Sequence, residues 1–428
     1  MRVRGYFLYR EAMIIGDKIF GGLRTFFKKT DIVYWVLTLI ASVYGCILIA
    51  SQQRSGEVNF LRTQIFAVII GYIAAVIISG IDYKFISKCW WLIAGVALAL
   101  TFAVFFIGIQ VVGTDDVGWI SLPGGMTFQP SELTKICFII TFSTHLAALE
   151  ETGKLRTFIG TMSLVIHAAV PIVLIHMQGD DGAALVFACM FLIMTFAAGV
   201  QLRYFIVFIL CTGAAVPFVW SRMMNSDQQN RMAVLFTNDD EMLQTYGWQQ
   251  YQGKVSIASG GMLGKGLFEG PRVAREMVPY QENDFIFTVA GEELGFIGCA
   301  AILFLFLLLL YKTLINSGKA TDPLGRNICI GYFSLLATQI MINLGMVLGL
   351  LPVVGITLPF FSSGGSSAAC LYLGVGLVQS VYMHRAGKNE VHIKVDITKP
   401  KHKKRRKRRK TKSTGAYDKS LKPQKRVF

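Results

Sequence analysis

Four carboxylates crowd the stretch QENDFIFTVAGEELGFIG, residues 281 to 298: Glu282, Asp284, Glu292 and Glu293. They stand just ahead of an apolar run that continues to Tyr311. Ionised side chains beside a low-dielectric medium are costly unless paired, so acids placed here are candidates for function. Three more stretches carry groups able to do chemistry. Residues 113 to 135, GTDDVGWISLPGGMTFQPSELTK, hold Trp119, an interface-anchoring side chain, and Pro130 at the first turn of an expected helix. Glu132 and Lys135 are i,i+3 neighbours on that helix, where opposite charges can pair; they form either a structural ion pair or a substrate contact. HMQGDDGAALVF (176 to 187) offers Asp180 and Asp181, each readable as a plain helix N-cap. GLLPVVGITLPFFSSGGSSA (349 to 368), with Pro352, Pro359 and the serine-glycine run that includes Ser366, reads as a re-entrant turn, which must be shielded by protein or line a wet cavity.

Between residues 221 and 284 the chain is too polar to cross lipid, and this loop is large enough to build a site. It carries Lys265 within the glycine-rich SIASGGMLGKGLFEG (256 to 270), then Arg272 and Arg275. Glycines with a lysine can bring backbone N–H groups and a cation up to a phosphate, although in a loop glycines more often only make turns.

The elements that must position these groups follow from the composition. Of 428 residues 53% are hydrophobic and only 16% charged, and the apolar ones come in long blocks. This is an all-α polytopic membrane protein, since a hydrocarbon layer of ~30 Å takes about 20 helical residues to cross. Ten blocks qualify: residues 32–50, 64–80, 90–109, 132–149, 158–175, 183–200, 204–220, 294–311, 328–348 and 366–384. Domain organisation is then an amphipathic inner-surface segment (1–31), a membrane domain (32–384) with the 221–284 loop between its seventh and eighth spans, and a basic tail (385–428).

Lys and Arg set the orientation, because cytoplasmic loops retain positive charge. With both termini inside, the inner connections hold Lys84, Lys88, Lys154, Arg156, Arg203, Lys312, Lys319 and Arg326, and the short outer ones only Arg54 and Arg62. All four irregular stretches then face outside, which favours chemistry at the outer leaflet over alternating access. The formal charge of +16 describes no nucleic-acid binder, since KPKHKKRRKRRKTK (399 to 412) reads as a tail beside an anionic leaflet or a dock for a cytoplasmic partner. Eight cysteines without CxxC pairing and six histidines without ligand spacing point to no cofactor.

Four segments together carry a family likeness: WISLPGGMTFQPSELTK (119 to 135), SIASGGMLGKGL (256 to 267), NDFIFTVAGEELGFIG (283 to 298) and NLGMVLGLLPVVGITLPFFSSGGSS (343 to 367). In order and spacing, from about residue 30 to about 385, the chain resembles the SEDS family (RodA, FtsW, SpoVE), and the rod-shape branch most. The resemblance implies a peptidoglycan glycosyltransferase of the bacterial cytoplasmic membrane. It would polymerise lipid II at the outer face for cell-wall elongation, beside a class B penicillin-binding protein and other elongation-complex membrane proteins. It maps the family's essential aspartate onto Asp284, its tryptophan onto Trp119, and its intramembrane acid and base onto Glu132 and Lys135.

The chain also departs from the family pattern. Gly118 stands where an Arg or Lys is usual, QGDDG (178 to 182) replaces QPDLG, Thr357 replaces a proline and Ser363 a tyrosine. Joining two lipid II units needs a base for the attacking hydroxyl and positive charge for the leaving diphosphate. A carboxylate at a membrane edge, its pKa raised by desolvation, suits the base. Lys265, Arg272 and Arg275 are the candidate diphosphate cations, with a divalent ion (Mg or Mn) on Asp284 or its neighbours as the competing device. Glu292 and Glu293 either pair structurally or share in the chemistry, with Asp181 and Ser366 as possible supports. A lipid II flippase, a division- or sporulation-type polymerase and a membrane scaffold are the other readings.

Overall fold

The computed structural model describes residues 26–53, 60–110, 116–121, 127–237 and 239–385. The segment before Phe26 expected to be amphipathic, Arg54, Asp115, the LPGGM stretch (122–126) and the basic tail beyond Arg385 lie outside them.

Ten helices are long and apolar enough to span a membrane: Ile32–Gln52, Phe60–Gly80, Trp90–Ile107, Pro130–Glu151, Phe158–His176, Asp181–Ala198, Leu202–Arg222, Gly295–Gly318, Pro323–Val347 and Gly365–Met383. Their starts are written in the side chains. Asp31, Asp82, Thr157, Asp180 and Asp322 each accept a backbone N–H at a helix N-terminus, satisfying donors that the helix itself leaves open. The seventh span ends differently. Pro217 cannot donate to the helical ladder, and the turn after it widens into a π-turn, Val219–Met223.

The eighth and ninth spans run longer than hydropathy suggests, so Lys312 and Arg326 sit on helices rather than in the connection between them. Pairing explains how: Lys312 lies 2.8 Å from Asp31 and Arg326 2.6 Å from Glu150. With Lys84–Asp322 at 3.0 Å, these pairs tie helix ends together on one side of the bundle. The fourth, ninth and tenth spans are the most buried and form its centre. They afford polar side chains such as Ser143, Gln339 and Asn343 because they face protein rather than lipid.

At the opposite end the connections are structured. A two-stranded antiparallel pair, β1 (Ile120–Ser121) with β2 (Thr127–Phe128), and an isolated antiparallel bridge between Ile109 and Trp119 are the β-structure among the described residues. The 221–284 segment is not an open loop. It contains helices Ser226–Ala233, Asp240–Thr245, Trp248–Gly260 and Pro271–Ala274, and a further helix, Ile286–Glu293, leads into the eighth span.

The segment from Gly349 to Gly364 has no regular structure, yet Ile356, Leu358, Phe360 and Phe361 are buried. Two helical glycines make room for it. A Cβ on Gly45 of the first span would come within 2.6 Å of Phe361 Cα, and one on Gly182 of the sixth within 2.3 Å of the Val354 carbonyl oxygen. Protein therefore shields this irregular backbone, as a membrane setting requires.

Candidate active site

Asp284 occupies a turn immediately before the Ile286–Glu293 helix, and that helix packs against Trp248–Gly260. Phe285, Ile286, Val289 and Ala290 are fully buried and anchor it. This leaves the Asp284 side chain only 7% exposed. Burial pushes its carboxyl up to about 7; Glu282 nearby adds to the rise and a backbone N–H opposes it. Its main chain is held from the ninth span, where Asn343 Nδ2 donates to the carbonyl oxygens of Asp284 and Ile356, both at 2.7 Å. Since both N–H groups meet carbonyls, the amide orientation is fixed by chemistry. The Ser363 N–H donates to the Glu282 carbonyl at 2.8 Å, so the irregular 349–364 segment grips the turn from a second point.

Glu292 and Glu293 have a different occupation. Glu292 accepts the N–H groups of Arg272 (2.7 Å) and Val273 (3.1 Å). Glu293 accepts from the Ser51 hydroxyl at 2.6 Å and from the N–H groups of Phe268 (3.2 Å) and Gly270 (3.4 Å). The Lys265 and Gly266 N–H groups go to the carbonyls of these same two acids, at 2.9 and 3.0 Å. The glycine-rich stretch is thus a cradle, but its donors are spent on this chain's own glutamates rather than left open for a phosphate. Burial raises the pKa of Glu292 while its two backbone donors and the Arg272 charge pull it down.

The candidate cations are not gathered around Asp284. The Arg272 guanidinium bonds Ser256 Oγ (2.9 Å) and Gln252, fixing the loop to the Trp248–Gly260 helix. Lys265 and Arg275 are exposed. Among the described residues, the charged group that bears on the Asp284 pKa is Glu282.

A second polar centre forms where the fourth and sixth spans begin. Lys135 Nζ lies 2.8 Å from Glu132 Oε1, with Lys135 1% and Glu132 7% exposed. Asp180 completes it. One of its oxygens caps the sixth span through the Ala183 N–H at 2.8 Å, and the other accepts from Gln129 Nε2 at 2.8 Å and Ser131 Oγ at 3.4 Å. Burial raises the Asp180 pKa, Lys135 lowers it and Glu132 raises it further. Of the two aspartates, Asp180 therefore joins the buried charges; Asp181 stands at the surface, bonded to His176 and Gln228. The sequence signal lay in the cap geometry: with the helix starting at Asp181, only the residue before it can cap and face inward.

Trp119 is half-buried beside this centre. Its carbonyl accepts the Ile109 N–H at 2.7 Å, and the Val117 N–H reaches the Gln178 carbonyl at 3.1 Å. Gly118, where the family carries a cation, lies against Asp180 and Gln129, since its Cβ would stand 3.9 and 3.8 Å from their polar atoms. Ser366 accepts from the Gln129 N–H at 3.4 Å. The stretch from Val354 to Ser367 runs between the two centres, touching Asn343 through Ile356 and Gln129 through Ser366. Asp284 and the Glu132–Lys135–Asp180 cluster thus flank one irregular segment at the same end of the bundle.

Comparison with known proteins identifies the family and the fold. The family model for cell cycle proteins of the FtsW/RodA/SpoVE type matches residues 26–387. A probable peptidoglycan glycosyltransferase FtsW of Geobacter sulfurreducens is 31% identical over 361 residues, covering 83% of this chain and 95% of its own. The peptidoglycan glycosyltransferase MrdB of Escherichia coli K12 is 29% identical over 373 residues, 85% of this chain and 96% of that one. Among solved structures, a chain from a peptidoglycan synthase complex coordinating polymerization and crosslinking superposes with a TM-score of 0.70 at 25% identity, covering 82% of this chain and 97% of that one. The rod shape determining protein RodA of Thermus thermophilus shares the fold, with a TM-score of 0.62 at 23% identity over 84% of this chain and 98% of that one. Ten spans and this kinship make the chain a multi-pass protein of the cytoplasmic membrane. It belongs to the FtsW/RodA/SpoVE family of cell cycle proteins.

Proposed function

We propose that this chain is a peptidoglycan glycosyltransferase that joins lipid II units at the outer face of the membrane, with Asp284 as the base. One observation carries the reading: a nearly buried carboxyl with a pKa of about 7, on a turn clamped by Asn343 and Ser363, at the end of the bundle where the irregular segments gather. A base works best when its pKa lies near the working pH, and an aspartate near 4 is too weak for a sugar hydroxyl. Asp284 would take the proton of the acceptor 4-hydroxyl as its oxygen attacks the anomeric carbon and the lipid diphosphate departs. Inversion at that carbon needs no covalent enzyme intermediate.

The departing diphosphate needs positive charge. Lys135 is the buried cation on the other flank of the 354–367 segment, and Lys265 and Arg275 are exposed cations on the loop. Among the described residues no group of three or more His, Cys, Asp or Glu is arranged to hold a metal. Mg²⁺, however, is commonly bound by one or two carboxylates plus substrate phosphates. In that competing arrangement Asp284 and Glu282 would instead hold the ion, which would neutralise charge on the diphosphate but would lower the Asp284 pKa and take the base role from it.

Kinship with a chain of a peptidoglycan synthase complex supports a crosslinking partner, a class B penicillin-binding protein. Likeness to both FtsW and MrdB supports a role in wall growth, and we assign it to elongation and cell shape. The test is polymer formation from purified lipid II in detergent, by the chain with its partner. Asp284→Asn is expected to stay folded and partner-bound yet make no polymer; polymer at the wild-type rate removes Asp284 from the chemistry. Detergent abolishes membrane sidedness, so polymer made there by the wild type is not explained by flipping.

A further inference from the structure

The first span runs from Ile32 to Gln52, and Ser51 near its end touches Glu293. Its beginning therefore lies about 30 Å away, at the far end of the bundle. There Phe27, Lys28, Thr30, Asp31, Ile32 and Val33 line an open pocket of about 520 Å³ together with Tyr382 of the tenth span.

Three features of this pocket are unexplained by packing. First, Thr30 is 5% exposed and its hydroxyl has no hydrogen-bond partner among the described residues, an arrangement that costs stability unless something completes it. Second, positive charge accumulates there without matching acids among the described residues. Arg385 Cζ stands 3.7 Å from the Tyr382 ring centroid and Lys319 Nζ 5.3 Å from it, while Lys28 lines the pocket itself. None of these three is in an ion pair among the described residues, whereas the one acid present, Asp31, is already neutralised by Lys312 at 2.8 Å. Third, the exposed side chains beside the cations are apolar: Phe27, Ile32 and Val33.

Surplus cations, an orphaned hydroxyl donor and an apolar ledge at the start of a membrane span match one chemistry, a phosphate carrying hydrocarbon chains. We propose that this pocket binds the headgroup of an anionic phospholipid. The Thr30 hydroxyl donates to a phosphate oxygen, Lys28 and Arg385 face its charge, and the acyl chains lie along Ile32 and Val33. A net anion is preferred over a zwitterion because, among the described residues, the pocket has no spare acid to meet a cationic headgroup. The basic run at 399 to 412 is a different stretch of the sequence and remains whole in the variants below.

The test uses the full chain in phosphatidylcholine nanodiscs containing a minor fraction of phosphatidylglycerol, with lipid retained on the protein counted by native mass spectrometry. The wild type is expected to retain phosphatidylglycerol preferentially. A cation near an anionic headgroup is worth ~1 kcal/mol, so each of Lys28→Ala and Arg385→Ala should weaken that preference about five-fold. Thr30→Val, which keeps the side-chain shape, should weaken it while leaving phosphatidylcholine retention unchanged. An unchanged preference in the Lys28→Ala, Arg385→Ala double variant assigns the selectivity to the tail and overturns the proposal. Displacement of the lipid by millimolar inorganic phosphate would overturn it too, by showing a free-anion site.

Discussion

At the scale of single residues, Asp284 matters because its described surroundings withhold water while the charge beside it is another acid, Glu282. The same carboxyl beside an arginine would have its pKa lowered and be a poorer base. Asn343 is what holds it in that setting, through two 2.7 Å bonds from one amide to two carbonyls. Asn343→Leu leaves both carbonyls without their donor, at roughly 1–3 kcal/mol each. The variant is expected to unfold at lower temperature in detergent and to lose most of its polymerisation rate; a wild-type rate would show that the clamp does not position the base. Asp284 was visible in the sequence as an acid abutting an apolar run. Asn343 was not, because inside a membrane helix its letter gives no hint of which carbonyls it meets. Asp180 was hidden for another reason: choosing between two adjacent aspartates needs the helix start to within one residue.

At the scale of elements, the spans were legible because bilayer thickness imposes a length and lipid imposes apolar faces. What escaped was structure stabilised by contacts far apart in sequence. The Trp248–Gly260 helix is polar along much of its length, and Gln250 earns its burial by donating to the Met346 and Leu351 carbonyls. Likewise, the glycine-rich stretch looked like an anion cradle and holds Glu292 and Glu293 instead. Close packing also makes a sharp prediction for the first span. Gly45→Leu would drive side-chain atoms into the backbone of Phe360 and Phe361, which cannot rotate away as a side chain would. Overpacking of this kind costs about 1–3 kcal/mol. Because the displaced segment also grips the Asp284 turn, activity should fall more steeply than the thermal midpoint does. Full activity in Gly45→Leu would mean that the 349–364 segment can shift without consequence.

At the scale of the whole molecule, the centres flanking the 354–367 segment and the ion pairs at the helix ends occupy opposite ends of one bundle. Positive charge in the short connections predicts that the Asp284 end faces outside. In intact cells, with native cysteines replaced, Thr245→Cys should react with an impermeant thiol reagent and Lys154→Cys should not; the reverse pattern would invert the topology. The central claim is that burial tunes one carboxyl to neutral pH, and the polymerisation rate reports it directly. A base must be unprotonated to act, so a carboxyl at about 7 is mostly blocked at pH 5 and freed as the pH rises. The decisive measurement is kcat/KM for lipid II from pH 5 to 9, by the assembled wild-type enzyme. The account predicts a rise of about tenfold per pH unit that levels off near pH 7; a profile flat across that range would contradict it.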